Sequence, residues 1–136
     1  MNRPTLIGYQ LLIGLSDTLT GVLLIVAPEF ALQLMRLHVP DDALPFLSFI
    51  GAFVFSVGLA CLYGVFVIAR RRNTCKLEVI WLLTAITRSS VAIFLAAQIV
   101  AHKLEVGWLM VAISDGVCVL IQAIGLRKGW LANVAW

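Results

Sequence analysis

Four long segments of the chain are almost wholly apolar, and short polar segments separate them. They cover about residues 6–27, 45–69, 79–100 and 107–126. About 20 apolar residues are enough to cross the ~30 Å hydrocarbon core of a bilayer. Hydrophobic residues make up 62% of the chain and charged residues 12%, whereas soluble domains are about half apolar and a quarter charged. We therefore predict an all-α membrane protein in which residues 1–136 form a single domain, an antiparallel bundle of four transmembrane helices.

The loop after the first apolar segment carries a helical pattern of its own, over about residues 29–37. Phe30, Leu34 and Leu37 share one face of such a helix. Pro28 and Glu29 suit its start, because proline fixes φ there and a carboxylate favours the positive end of the helix dipole. We predict a short interfacial helix that lies on the membrane.

The positions of the basic residues predict the topology. Arg88 alone lies inside an apolar segment. Of the other nine Lys and Arg residues, seven lie at the N-terminus, in the second loop and after the fourth segment. The first and third loops carry only Arg36 and Lys103. Basic loops face the cytoplasm, so we predict that both termini are cytoplasmic in a bacterial inner membrane. This distribution gives no basic patch for nucleic acid, and the lipid bilayer is the predicted partner.

Three charged residues lie near the middle of apolar segments: Asp17 in the first, Arg88 in the third and Asp115 in the fourth. One charge at the bilayer centre costs roughly 3 kcal/mol or more. We therefore expect these side chains to face one another, water or a ligand, in a polar core of two aspartates and one arginine.

Polar residues accompany this core on the same helix faces. Gln10 precedes Asp17 by seven residues and Gln122 follows Asp115 by seven, so both lie roughly 10 Å to the cytoplasmic side of their aspartates. Thr84 and Arg88 share one face of the third segment, and Ala92 and Ala96 continue that face. The candidate residues for a ligand or proton site are Asp17, Arg88, Asp115, Gln10, Gln122 and Thr84.

Two interpretations of this core stay open. The charges can hold three helices in register, or they can form a site for a proton or a ligand, with one aspartate as the exchangeable proton site. In the second interpretation Arg88 is the partner of a small anionic or apolar molecule.

The second apolar segment carries a small residue at every fourth position. These residues are Ser48, Ala52, Ser56, Ala60 and Gly64. Small residues at this spacing favour close approach of membrane helices. We expect this stripe to pack either inside the bundle or between protomers, in a homo-oligomer or a larger membrane complex.

Other residues predict no cofactor and no metal site. The three cysteines form no Cys-x-x-Cys pair, and His38 and His102 lie in loops without a pattern of further ligands. Trp81, Trp108 and Trp130 are expected in the aromatic belts at the membrane surfaces.

Four spans in 136 residues, with a helical first loop, resemble the small bacterial membrane proteins of the DoxX-like type. The resemblance rests on topology, so it implies a fold and no site residues. We expect a protein without catalysis of its own that acts as an accessory or assembly subunit. A binding protein or proton-coupled transporter at Arg88 is the alternative. A membrane enzyme acting on a lipid-like substrate ranks last, because no nucleophile–base pair, metal cluster or cofactor motif is found.

Overall fold

The chain is helical in the computed structural model, which describes residues 2–70 and 74–132. The helices are α1 (Arg3–Val26), α2 (Pro28–Met35), α3 (Leu44–Ala69), α4 (Thr74–Val100) and α5 (Leu109–Arg127). Short 3₁₀-helices at Asp41–Ala43 and Val106–Trp108 precede α3 and α5. No strand occurs within the described ranges. The predicted all-helical fold is confirmed.

Four of the helices, α1, α3, α4 and α5, are long and apolar enough to cross a membrane, which confirms the four predicted apolar helices at that level. Helix α4 begins five residues before the predicted segment. Lys76 and Glu78 interrupt the apolar pattern there but do not interrupt the helix. Arg71 and Arg72 of the predicted basic loop lie outside the described residues.

The chain divides into two compact units. The first, called here the N-terminal unit, is Pro4–Phe66. The second, the C-terminal unit, is Val67–Trp136 together with Met1–Arg3. Each unit contains one pair of long helices. The contact within the first pair differs in its chemistry from the contact within the second.

In the N-terminal unit, α1 and α3 meet at glycines. A Cβ atom on Gly21 would lie 2.5 Å from the backbone nitrogen of Phe55. A Cβ atom on Gly58 would lie 2.5 Å from the backbone nitrogen of Thr18. The two backbones therefore approach each other at positions where no side chain intervenes, as small residues allow in membrane helices.

Two further glycines extend this contact in both directions. Gly14 on α1 faces Leu62 on α3, and Gly51 on α3 faces Leu24 on α1. The partner on α3 moves to lower residue numbers as the residue on α1 moves to higher ones, so α1 and α3 run in opposite directions.

The α3 positions in this contact follow 4-3-4 spacing: Gly51, Phe55, Gly58 and Leu62. The predicted stripe of Ser48, Ala52, Ser56, Ala60 and Gly64 uses steps of four only. Each such step turns the side chain by about 40° beyond a full turn, so five positions wind around the helix. Ala52 and Ser56 are exposed and Gly64 is buried. The stripe does not coincide with the surface that contacts α1.

Helix α2 begins at Pro28, one residue before the predicted range of about 29–37, and ends at Met35, before Leu37. Arg36 takes the left-handed conformation, with φ of 55°. The Arg36 N–H donates to the Gln33 carbonyl at 3.1 Å and the Leu37 N–H to the Leu32 carbonyl at 2.9 Å, which is the Schellman pattern. Leu37 is therefore buried beyond the helix end, whereas Phe30 and Leu34 are exposed. The predicted shared face of Phe30, Leu34 and Leu37 is wrong at its last member.

In the C-terminal unit, α4 and α5 are joined by a short connection. Helix α4 also ends in a Schellman pattern, here around His102, which has φ of 55°. The His102 N–H donates to the Ile99 carbonyl and the Lys103 N–H to the Gln98 carbonyl, at 3.0 and 2.9 Å. The turn allows α5 to pack back along α4 in the opposite direction.

The C-terminal unit also includes a contact between the chain start and the end of α3. Arg3 Nη2 donates to the carbonyls of Ile68 and Ala69, each at 3.2 Å. The last carbonyls of a helix have no partner within the helix and carry partial negative charge. The Arg3 guanidinium therefore caps α3.

Candidate functional site

Four polar residues face the contact between α4 and α5, and we call them the polar seam: Thr84, Arg88, Asp115 and Gln122. Thr84 and Arg88 are four residues apart on α4, which places them on one face. Asp115 and Gln122 are seven apart on α5, which is two turns of the same face. Thr84, Arg88 and Gln122 are buried, with 3%, 6% and 0% of their surface exposed.

The centre of the polar seam is an ion pair between Arg88 and Asp115. Arg88 Nη1 donates a hydrogen bond to Asp115 Oδ1. The two side chains are 7% and 13% exposed, so water screens the pair little. A charge-assisted hydrogen bond of this kind is about twice as strong as a neutral one. The pair joins α4 to α5 at this level.

One turn along α4, a second hydrogen bond joins the same two helices. Gln122 Nε2 donates to Thr84 Oγ1 at 2.9 Å. The Thr84 hydroxyl in turn donates to the Ile80 carbonyl at 2.8 Å. Because this hydroxyl donates to its own helix, as is common for threonine in helices, its oxygen is the acceptor for Gln122. Gln122 Oε1 is buried and has no hydrogen-bond partner among the described residues.

Trp81 lies next to the polar seam, at the end where Gln122 is found. Its side chain is fully buried, rather than placed in an exposed aromatic belt as the sequence suggested. A Cβ atom on Gly125 would lie 2.5 Å from Trp81 Cζ3, so the indole ring lies directly on the glycine. The clue in the sequence was the 3-4-3 spacing of Asp115, Cys118, Gln122 and Gly125, which places a glycine on the polar face of α5.

The buried face of α4 differs from prediction beyond Arg88. Ala92 is half-buried, Ala96 is exposed, and Leu95 is buried at 8% exposure. The predicted face again used steps of four residues, which drift around a helix of 3.6 residues per turn. The buried face of α4 is therefore polar at Thr84 and Arg88 and apolar at Leu95.

The remaining candidates, Gln10 and Asp17, lie on α1 in the N-terminal unit. They share one face with Gly14 and Gly21, as the spacing predicts. Gln10 is fully buried, and neither its Oε1 nor its Nε2 has a hydrogen-bond partner among the described residues. A buried polar group without a partner costs about 1–3 kcal/mol. Asp17 is half-buried.

A cleft of about 230 Å³ lies within the N-terminal unit. Its lining residues come from α2 and from the turn that follows it: Glu29, Leu32, Gln33, Leu37, His38, Val39, Asp41 and Leu44. Ligand pockets usually measure ~300–1,000 Å³, so the cleft is small for one. Across residues 2–70 and 74–132, no group of three or more His, Cys, Asp and Glu side chains could hold a metal ion.

Comparison with known proteins gives no match: no family model fits the chain, and neither a curated protein nor a solved structure matches it significantly. The features that bear on function are therefore the chemistry of the polar seam and the exposed surface of the helices. The similarity to the DoxX-like type stays a prediction.

Proposed function

We propose that the chain is a four-span integral membrane protein without catalysis of its own, which serves as an accessory or assembly subunit. In this proposal the spans form an antiparallel bundle of the DoxX-like type, α2 lies at the membrane surface, and both termini are cytoplasmic. The polar seam holds α4 and α5 in register inside the membrane.

The large apolar side chains exposed on all four long helices support the membrane part of the proposal. Examples are Leu12 at 69%, Phe46 at 70%, Ile93 at 70% and Leu120 at 63% exposed. In water this surface would promote aggregation. In hydrocarbon it is matched to the solvent, and the backbone groups are already bonded within the helices.

The single observation that carries the structural role is the hydrogen bond from Arg88 to Asp115. An arginine inside an apolar segment needs a compensating charge, and the neighbouring helix supplies one. A ligand anion at Arg88 would have to compete with that carboxylate. The geometry therefore favours a structural ion pair over an anion site.

The topology can be tested with the native cysteines. Cys75 is exposed, whereas Cys61 and Cys118 are buried. In a Cys61→Ala/Cys118→Ala chain, a membrane-impermeant maleimide should label Cys75 in inverted vesicles and not in intact cells. A matched chain with all native cysteines replaced and Lys103→Cys should show the opposite pattern. Labelling of Cys75 from outside would reject a cytoplasmic second loop.

A charge swap separates a structural pair from a proton site. The variant Arg88→Asp/Asp115→Arg keeps an ion pair but moves each charge to the other helix. A structural pair predicts that the swap restores the stability lost in either single variant. It also predicts that liposomes with the wild-type protein and a trapped pH dye pass no more protons than empty liposomes. Proton flux abolished by Asp115→Asn would instead establish the transporter.

The subunit role is tested by purifying the protein from its native membrane in a mild detergent. We expect native mass spectrometry to show a complex of fixed stoichiometry, well above the chain mass of 14.9 kDa. The same protein expressed in a foreign host should be smaller. A monomer from both sources would contradict the role as an assembly subunit.

A further inference from the structure

Gln122 carries an acceptor that the protein leaves unmatched. Its side chain is fully buried. One half of the amide is used, because Nε2 donates to Thr84 Oγ1 at 2.9 Å. The other half, Oε1, has no hydrogen-bond partner among the described residues. Buried amide groups in native proteins are almost always matched by protein or by a bound molecule.

The hydrogen bonds of Thr84 indicate which amide atom is left over. A threonine hydroxyl has one hydrogen to donate, and that hydrogen is directed to the Ile80 carbonyl at 2.8 Å. The Thr84 oxygen therefore accepts, and Gln122 presents its NH₂ group to it. The reversed amide would leave the NH₂ group unmatched instead. An unmatched Oε1 needs a donor, and an unmatched NH₂ group needs an acceptor. A hydroxyl group can serve as either.

Two features bound the section of the polar seam around Gln122. The Trp81 ring on Gly125 closes it at one end, and the Arg88–Asp115 ion pair lies at the other. Asp115 and Gly125 are ten residues apart on α5, which is about 15 Å of helix. Cys118, on the same face between them, is buried and small. The buried amide of Gln122 therefore lies between the level of the indole and that of the ion pair along α5.

We propose that this section binds a hydroxyl group, which donates to Gln122 Oε1. Two sources have this chemistry: a buried water molecule, and an amphiphile with one hydroxyl head and an apolar chain, such as a long-chain alcohol. Gln122 recognises the hydroxyl in both cases, and the proposal does not depend on the role of the protein as an assembly subunit.

The chain offers its own internal controls for a test, because it has four glutamines. Gln33 is exposed, Gln98 is half-buried, and Gln10 and Gln122 are fully buried. The protein is labelled with ¹⁵N only in glutamine side chains and placed in nanodiscs of deuterated phospholipid. Each NH₂ signal is assigned by a single Gln→Met substitution. Gln33 then gives the reference for contact with bulk water.

The first arm looks for water and the second for an alcohol. If water is the guest, the Gln122 NH₂ protons show a nuclear Overhauser effect to a long-lived water. If an alcohol is the guest, added 1-dodecanol shifts the Gln122 signals to saturation, with contacts to its alkyl protons, while dodecane at the same concentration causes no shift. 1-Dodecanol should also raise the melting temperature of the wild-type protein but not of Gln122→Met.

The proposal is overturned if the Gln122 NH₂ protons contact only protein protons in both arms. A Gln122→Met protein that melts at a higher temperature than the wild type, with or without 1-dodecanol, would also count against it. The amide would then destabilise the protein as a buried polar group that no hydroxyl group satisfies. The spectra of the wild-type protein decide the matter even if Gln122→Met fails to fold. Loss of the subunit role would leave these spectra unchanged, so the two proposals fail separately.

Discussion

In the N-terminal unit α1 and α3 meet where side chains are missing, whereas in the C-terminal unit α4 and α5 meet through charged and amide side chains. Gly21 and Gly58 bring backbone atoms together. Arg88 with Asp115, and Thr84 with Gln122, join helices through their side-chain ends. In lipid the usual hydrophobic drive for helix pairing is absent, and the chain has both of the contacts that could replace it. The first depends on shape and the second on charge and hydrogen bonds.

The largest expected effect comes from breaking the ion pair of the C-terminal unit. Asp115→Leu removes the carboxylate that Arg88 contacts, and we expect a loss of about 3–5 kcal/mol in unfolding free energy. Arg88→Met/Asp115→Leu should recover most of it, because neither position 88 nor position 115 then carries a charge without its partner. Denaturant titration in mixed micelles measures both values. Ser114→Ala, at an exposed neighbouring position, is the matched control, and a loss as large as that of Asp115→Leu there would argue against a specific pair.

The N-terminal unit should respond to size instead. Gly21→Ala and Gly58→Ala each place a methyl group 2.5 Å from backbone atoms of the opposite helix, so we expect each to lose about 1–3 kcal/mol. Gly8→Ala is the control on α1, because nothing lies within 4 Å of its added methyl group. Better helix propensity should make that control neutral or stabilising. Equal stability of all three variants would refute the close glycine contact.

A smaller effect is expected at the second hydrogen bond of the polar seam. Thr84→Val keeps the shape but removes the acceptor of Gln122, and such bonds between membrane helices contribute about 0.6 kcal/mol on average and at most about 1.7. A double-mutant cycle of Thr84→Val with Gln122→Met isolates this contribution. Thr87→Val, whose exposed hydroxyl bonds to the Leu83 carbonyl of its own helix, should change stability less. A zero coupling energy would mean that the bond does not join the helices.

The smallest effects should be alike in the two units, because their helix ends use the same motif. Arg36 and His102 both occupy a left-handed position at which glycine is favoured. Arg36→Gly and His102→Gly should each raise the unfolding free energy by up to about 1 kcal/mol. Gly129 already fills such a position, with φ of 62°, and Gly129→Ala should lower it by a similar amount. Thermal unfolding in detergent compares the three, and a loss on His102→Gly would show that its side chain has another role.

The apolar pattern was enough to predict four long helices, and Pro28 with Glu29 indicated the start of α2 to within one residue. It was less accurate at the start of α4, because the helix begins at Thr74 and the apolar segment begins later. A helix can continue through charged residues that a bilayer excludes. The end of α2 was missed since it depends on Arg36 adopting positive φ, which arginine seldom does.

The partners across each contact were harder to predict than the helices. The sequence indicated that Arg88 needs a carboxylate and offered both Asp17 and Asp115 at its depth; the structure pairs Arg88 with Asp115 on the neighbouring helix. The glycine contact was missed because steps of four residues drew attention to Ser48 and Ala52, whereas Gly14 with Gly21 and Gly51 with Gly58 recur at seven. The burial of Trp81 was not predicted, because tryptophans in general prefer membrane surfaces. That preference says nothing about the neighbours of a particular tryptophan.

The glycine contact has a consequence for how related chains can diverge. Positions 14, 21, 51 and 58 tolerate almost no growth, so each must stay small on its own account, whatever its partner becomes. Positions 88 and 115 are free to change character, but only together. We expect descendants of this chain to be recognisable by two glycine pairs at intervals of seven, with correlated substitutions at the arginine and its aspartate.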